Sequence, residues 1–92
     1  MNERMMIALT VKAMKGARMY VQCLTHSDAT RSFREYADWL VDMQLPVKAM
    51  HSTLIVEFEG GGCVRFASSA HETDGLTPFQ VSVDDVLRSG YD

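Results

Sequence analysis

The sequence predicts a small single-domain α/β fold: a mixed sheet around a central β-hairpin, with one to two helices, in the order α-β-α-β-β-β. Three observations carry this expectation. Two apolar-rich runs, rich in β-branched and aromatic residues, flank the triplet Gly60-Gly61-Gly62, as in a hairpin with a glycine turn. Between residues 27 and 44, Ala29, Phe33, Tyr36, Ala37, Leu40 and Met43 recur at helical spacing, while Arg31, Arg34, Glu35, Asp38 and Asp42 take the opposite side. The chain has 92 residues, enough for one small domain, and 47% of them are hydrophobic, which suits a globular core.

The first segment, residues 5–14, reads in two ways. As a strand, Met5, Ile7, Leu9, Val11 and Ala13 alternate with Met6, Ala8, Thr10 and Lys12, and Lys15-Gly16 becomes a hairpin turn. As a helix, Met6, Leu9, Ala13 and Ala17 form a stripe. Met5, Ala8, Ile7, Val11 and Met14 widen it into a face suited to a mostly buried helix. The helix is favoured: Glu3 and Lys12 match its dipole, and Gly16 stands where a C-terminal capping glycine is wanted. Residues 17–24 follow as a strand apolar on both faces, as in a sheet interior.

Thr25-His26-Ser27-Asp28 is a helix entry signal, with Ser27 or Asp28 as the expected cap. The helix is expected to run to about Gln44, with Arg31–Glu35 and Arg34–Asp38 pairs, and to end ahead of Pro46. In the hairpin, Leu54, Val56 and Phe58 share one face, and Val64 and Phe66 share the matching one. A loop of Gly60, Gly61 and Gly62 pairs Phe58 with Val64, Val56 with Phe66 and Glu57 with Arg65. A polar loop with turns at Asp74-Gly75 and Thr77-Pro78 leads to a last strand over residues 79–83.

Charge and cysteine content narrow the function classes. The net charge of −3 argues against a nucleic-acid binder, and no apolar run is long enough to span a membrane. The first residues lack the pattern of a signal peptide, so an intracellular (cytoplasmic), soluble protein is expected. Cys23 and Cys63 stand outside any CxxC pattern and read as buried free thiols.

Several groupings bear on chemistry. Apolar Val81 and Val83 lead into Asp84-Asp85, the shape of a Walker B strand end, where the first acid orients Mg²⁺ and the second polarises water. Asp84 and Asp85 are thus the candidate metal residues, although a solvated turn after a strand has the same pattern. Cys23, His26, His51, Cys63 and His71 are metal-ligand types, but Cys23-x-x-His26 has no second half. Ser68, Ser69, His71, Glu72 and Asp74 cluster in a polar stretch without a nucleophile elbow. Arg4, Lys12, Lys15, Arg18, Arg31 and Arg34 form a basic set that suits solvated surfaces. Met5, Met6, Met14, Met19, Met43 and Met50, with Tyr36 and Trp39, are residue types favoured both in cores and at adaptable binding surfaces.

Taken together, the hairpin, the run Val64-Arg65-Phe66-Ala67-Ser68-Ser69, a short loop with glycine and the strand ending in Asp84-Asp85 resemble the approach to Walker B in the ATPase domain of phage large terminases and helicase-like ATPases. In the same comparison residues 5–16 resemble the helix after a P-loop, 17–24 the next core strand and 27–44 the following helix. The sequence departs from that family in having no G-x-x-x-x-G-K-[ST] run, so nothing cradles the β- and γ-phosphates. The resemblance therefore implies a scaffold without ATPase activity or cofactor. The leading expectation is a small, non-enzymatic phage-type protein that binds another protein, as a regulator or inhibitor of a host system. A second copy could pair along a sheet edge left open beside the first strand. The alternative is a degenerate ATPase-like module of packaging or helicase machinery that completes a site in trans through Asp84 and Asp85. A third reading is a Mg²⁺-dependent enzyme using those acids with Glu57 or Glu59.

Overall fold

A computed structural model describes residues 1–69, 73 and 75–79. The elements are α1 (Glu3–Met14), β1 (Arg18–Gln22), α2 (His26–Asp42), β2 (Val47–Met50), β3 (Ile55–Phe58), β4 (Cys63–Ala67) and β5 (Thr77–Pro78). The sheet order is β2-β3-β4-β1-β5. β4, β1 and β5 are mutually parallel, whereas β3 runs antiparallel to both β2 and β4. The small α/β domain with a mixed sheet is therefore present, with one strand more than its sequence suggests. Val47–Met50 alternates only weakly and follows Pro46 at once, so it hides between the helix and the hairpin.

The first segment is a helix. Asn2 caps it by accepting from the Arg4 amide at 2.7 Å. At its other end Gly16, at φ 97°, and Ala17 donate to the carbonyls of Ala13 and Lys12. That is a Schellman stop, which needs a left-handed residue at the position Gly16 fills.

α2 is entered differently from expectation. Thr25 is the cap, its hydroxyl accepting from the Asp28 amide at 3.1 Å, and neither Ser27 nor Asp28 takes that role. Asp28 holds Arg31 at 2.7 Å, and Glu35 instead pairs with the Met1 ammonium at 2.6 Å. The helix stops at Asp42, earlier than the proline requires. Gln44, at φ 58°, and Leu45 donate to Val41 and Leu40, a second Schellman stop with a glutamine in the left-handed position.

The hairpin keeps its faces but not its register. Val56 pairs with Val64, Glu57 with Cys63 and Ile55 with Arg65, while the Phe58 amide donates to Gly62 at 2.8 Å. The loop is therefore Glu59 to Gly61, two steps away from the pairing of Val56 with Phe66. A two-residue shift leaves the same side chains facing inward. The third glycine explains it. Gly62 is buried against the end of α1, where an added Cβ would lie 1.8 Å from the Ala13 carbonyl oxygen. Gly60 and Gly61, at φ 91° and 93°, make the turn, and Gly62 admits the helix.

Thr77-Pro78, expected as a turn, pairs with Met19 and Tyr20 as β5. The expected strand at 79–83 lies outside the described residues from position 80 onward.

Both helices cover one face of the sheet over a single core. Leu9, Phe33, Tyr36, Leu40, Val56, Val64 and Phe66 are fully buried there, each contributing about 1.5–3 kcal/mol. Phe66 is central, with ring centroids 6.3 Å from Phe33 and 5.8 Å from Tyr36. On the opposite face the registers align Lys48, Glu57, Cys63 and Arg18 in a row.

Candidate functional site: the exposed helical face

The two helices end at the same end of the sheet, because the strands they lead into, β1 and β2, run in the same direction. A buried hydroxyl pair joins them. The Thr10 hydroxyl lies 2.7 Å from the Met6 carbonyl, to which it donates, and 2.8 Å from the Tyr36 hydroxyl, a bond in which either hydroxyl can be the donor. Burial pushes the Tyr36 phenol up to about 12, and the bond to Thr10 offsets only part of this.

The position of Thr10 fixes which flank of α1 meets α2. On that flank, one helical step outward, stand Ile7, Val11 and Met14, 45%, 46% and 59% exposed. Their i, i+4, i+7 spacing makes a continuous apolar stripe. α2 answers with Met43, 56% exposed, and with half-buried Trp39, which stacks on Tyr36 at 6.2 Å. At the far end Met14 leads into a groove of about 220 Å³ that is also lined by Leu45, Pro46, Val47 and Phe58.

Charged residues of both signs border this apolar seam. By helical spacing Arg4 and Lys15 lie beyond Val11 on α1, with Glu3 in line with the stripe itself, and Glu35, Asp38 and Asp42 lie beyond Trp39 on α2, with Arg31 on the same side nearer the helix start. All seven are exposed. The basic set of the sequence is thus divided. Lys12 turns away and lies 5.3 Å above the Phe79 ring, while Arg31 and Arg34 share another part of α2 with His26.

The wide apolar face of α1 was expected to be buried, but only Met6, Leu9, Thr10 and Ala13 are. One helix resting on a sheet buries a limited arc, and Ile7, Val11 and Met14 exceed it. Of the methionines, Met6 and Met19 are core, whereas Met14 and Met43 are surface. No local pattern in the sequence marks the exposed stripe: the Thr10–Tyr36 bond that orients α1 depends on where α2 comes to rest.

Among the described residues the other candidates are dispersed. Asp84 and Asp85 lie outside the described residues, as do His71, Glu72 and Asp74. Cys23 and His26 are at one end of β1, and Cys63 starts β4 beside Arg18 at the other end, about 16 Å along the strand. Both cysteines are free thiols. Burial pushes the Cys23 thiol up, and the Asp28 carboxylate adds to it. His51 packs edge-on against Phe33 at 5.1 Å. Among the described residues no three His, Cys, Asp or Glu side chains converge as a metal site. No described helix is long and apolar enough to cross a membrane.

The edge expected beside the first strand is occupied. The Thr77 hydroxyl and the Phe79 amide donate to the Arg18 and Tyr20 carbonyls at 3.1 and 2.9 Å. Among the described strands the outer ones are β5 and the four-residue β2. Lys48 in β2 is exposed, a residue type that discourages edge pairing. No family model, no curated protein and no solved structure matches the chain.

Proposed function

We propose that the chain is a non-enzymatic protein-binding module, a regulator or inhibitor that acts through its helical face rather than through a sheet edge. The observation that supports this reading is the exposed stripe of Ile7, Val11 and Met14 set alongside Trp39 and Met43. Leaving contiguous apolar side chains in water is unfavourable, and rims of charge around such a patch mark a surface that a partner covers. The partner that fits this face presents an apolar stripe with polar and charged groups at its margins.

Affinity capture with three baits tests the proposal. A partner retained by the wild-type chain is expected to be lost with Val11→Glu and kept with the double variant Asp84→Ala/Asp85→Ala. Retention by Val11→Glu together with loss in the aspartate variant would transfer the function to the acids and contradict the proposal.

A further inference from the structure

We propose that Met14 and Met43 form a paired oxidation site: a peroxide converts both thioethers to sulfoxides, and the apolar seam then no longer holds its partner. The inference rests on the reading of the helical face as a protein-binding surface and adds a means of control. Its basis is where the methionines stand. Met6 and Met19 are core, 6% and 3% exposed, and Met1, Met5 and Met50 are half-buried. Met14 and Met43 are 59% and 56% exposed. Met14 is the last residue of α1 and Met43 is the C-cap of α2, so both stand at the end of the seam where the helices stop. There Met14 also lines the groove with Leu45, Pro46, Val47 and Phe58. Ile7 and Val11, which continue the stripe toward the start of α1, carry no sulfur.

The chemistry needs only an accessible thioether and a hydroperoxide. A sulfur lone pair attacks the hydroxyl oxygen of the peroxide and the O–O bond breaks. The sulfur keeps that oxygen, and the other oxygen takes the hydroxyl proton and leaves as water or an alcohol. Sulfur gives up two electrons and the peroxide accepts them. Access sets the order of reaction, so the buried sulfurs of Met6 and Met19 are spared. The cysteines are weak competitors. Cys63 is buried, and burial together with the Asp28 carboxylate holds the Cys23 thiol in its neutral, less reactive form. The product replaces a flexible apolar side chain by a polar one that accepts hydrogen bonds. Water satisfies that acceptor on the free face. Under an apolar partner stripe it is buried without a donor, which opposes docking. Leucine would supply similar apolar bulk without this sensitivity.

Hydrogen peroxide treatment followed by peptide mass spectrometry tests the site on the chain itself. Met14 and Met43 are expected to gain an oxygen about tenfold faster than Met6 and Met19, with an unchanged circular dichroism spectrum. Wild type oxidised at those two residues is expected to elute earlier from a phenyl column. Met14→Leu/Met43→Leu is expected to elute at one position before and after peroxide. Equal oxidation rates for the four methionines, or an equal peroxide shift in the leucine variant, would overturn the inference. Capture with baits oxidised beforehand and freed of peroxide separates the switch from the reading beneath it. The oxidised wild-type bait is expected to lose the partner that the treated leucine variant keeps. A partner lost with Val11→Glu but held by the oxidised wild type overturns the switch and leaves the binding face standing. A partner that Val11→Glu retains contradicts the binding face itself.

Discussion

Gly62 shows how much one hydrogen atom can decide. Its Cα lies against the Ala13 carbonyl, and backbone on both sides leaves no room for a methyl group. Gly62→Ala should cost about 3 kcal/mol or more, because both a helix end and a strand must move. Gly60→Ala and Gly61→Ala should cost only about 1 kcal/mol each, since their added methyl groups meet nothing and only the positive φ is strained. Urea midpoints of the three variants check the ranking, and equal losses would show that Gly62 acts as a turn residue. The Tyr36 phenol offers a test by pH. Its folded value of about 12 lies above the ordinary 10, so the folded state favours the protonated form. This contribution is full below pH 10 and is lost as the pH rises toward 12, an effect of about 2–3 kcal/mol. Tyr36→Phe removes one hydrogen bond at an initial cost of about 1 kcal/mol and should lose less stability across that window. Equal alkaline loss in both proteins would place the titrating group elsewhere.

At the scale of elements, the helix ends carry information that periodicity does not. Asn2 and Thr25 start the helices, and Gly16 and Gln44 stop them in the same left-handed conformation. Gly16 was legible because glycine is the residue that conformation favours. Gln44 was not, and the stop appeared to belong to Pro46. Glycine should therefore improve the second stop: Gln44→Gly is expected to raise stability by about 0.5–1 kcal/mol, measured as a shift of the denaturant midpoint. Thr25→Ala should cost about 1 kcal/mol, and Ser27→Ala less than about 0.5 kcal/mol, which separates the cap observed from the one expected. The same logic explains the hairpin. Alternation fixed which side chains of β3 and β4 face the core, because a one-residue slip would reverse them. It was blind to a two-residue shift, which only the contact between Gly62 and α1 selects.

Across the whole molecule, the α/β class, both helices and the inward faces of the hairpin were legible, since each rests on a local pattern. β2, β5 and the open helical face were not, since each depends on where distant segments come to rest. Ile7, Val11 and Met14 look like core in the sequence, and their exposure follows only from the rotation of α1 imposed by Thr10 and Tyr36. Asp84 and Asp85 belong to the acid-dependent readings, while the apolar seam between the helices supports the protein-binding one. Its methionines are spread so that one spectrum can test that claim. Met14 and Met43 lie on the seam, Met6 and Met19 in the core, and Met50 in β2 on the opposite face of the sheet. With methyl-labelled methionine, binding of a captured partner should shift the Met14 and Met43 signals and leave Met50 in place. A shift of Met50 with Met14 and Met43 unmoved would contradict the account and move the binding surface to the sheet.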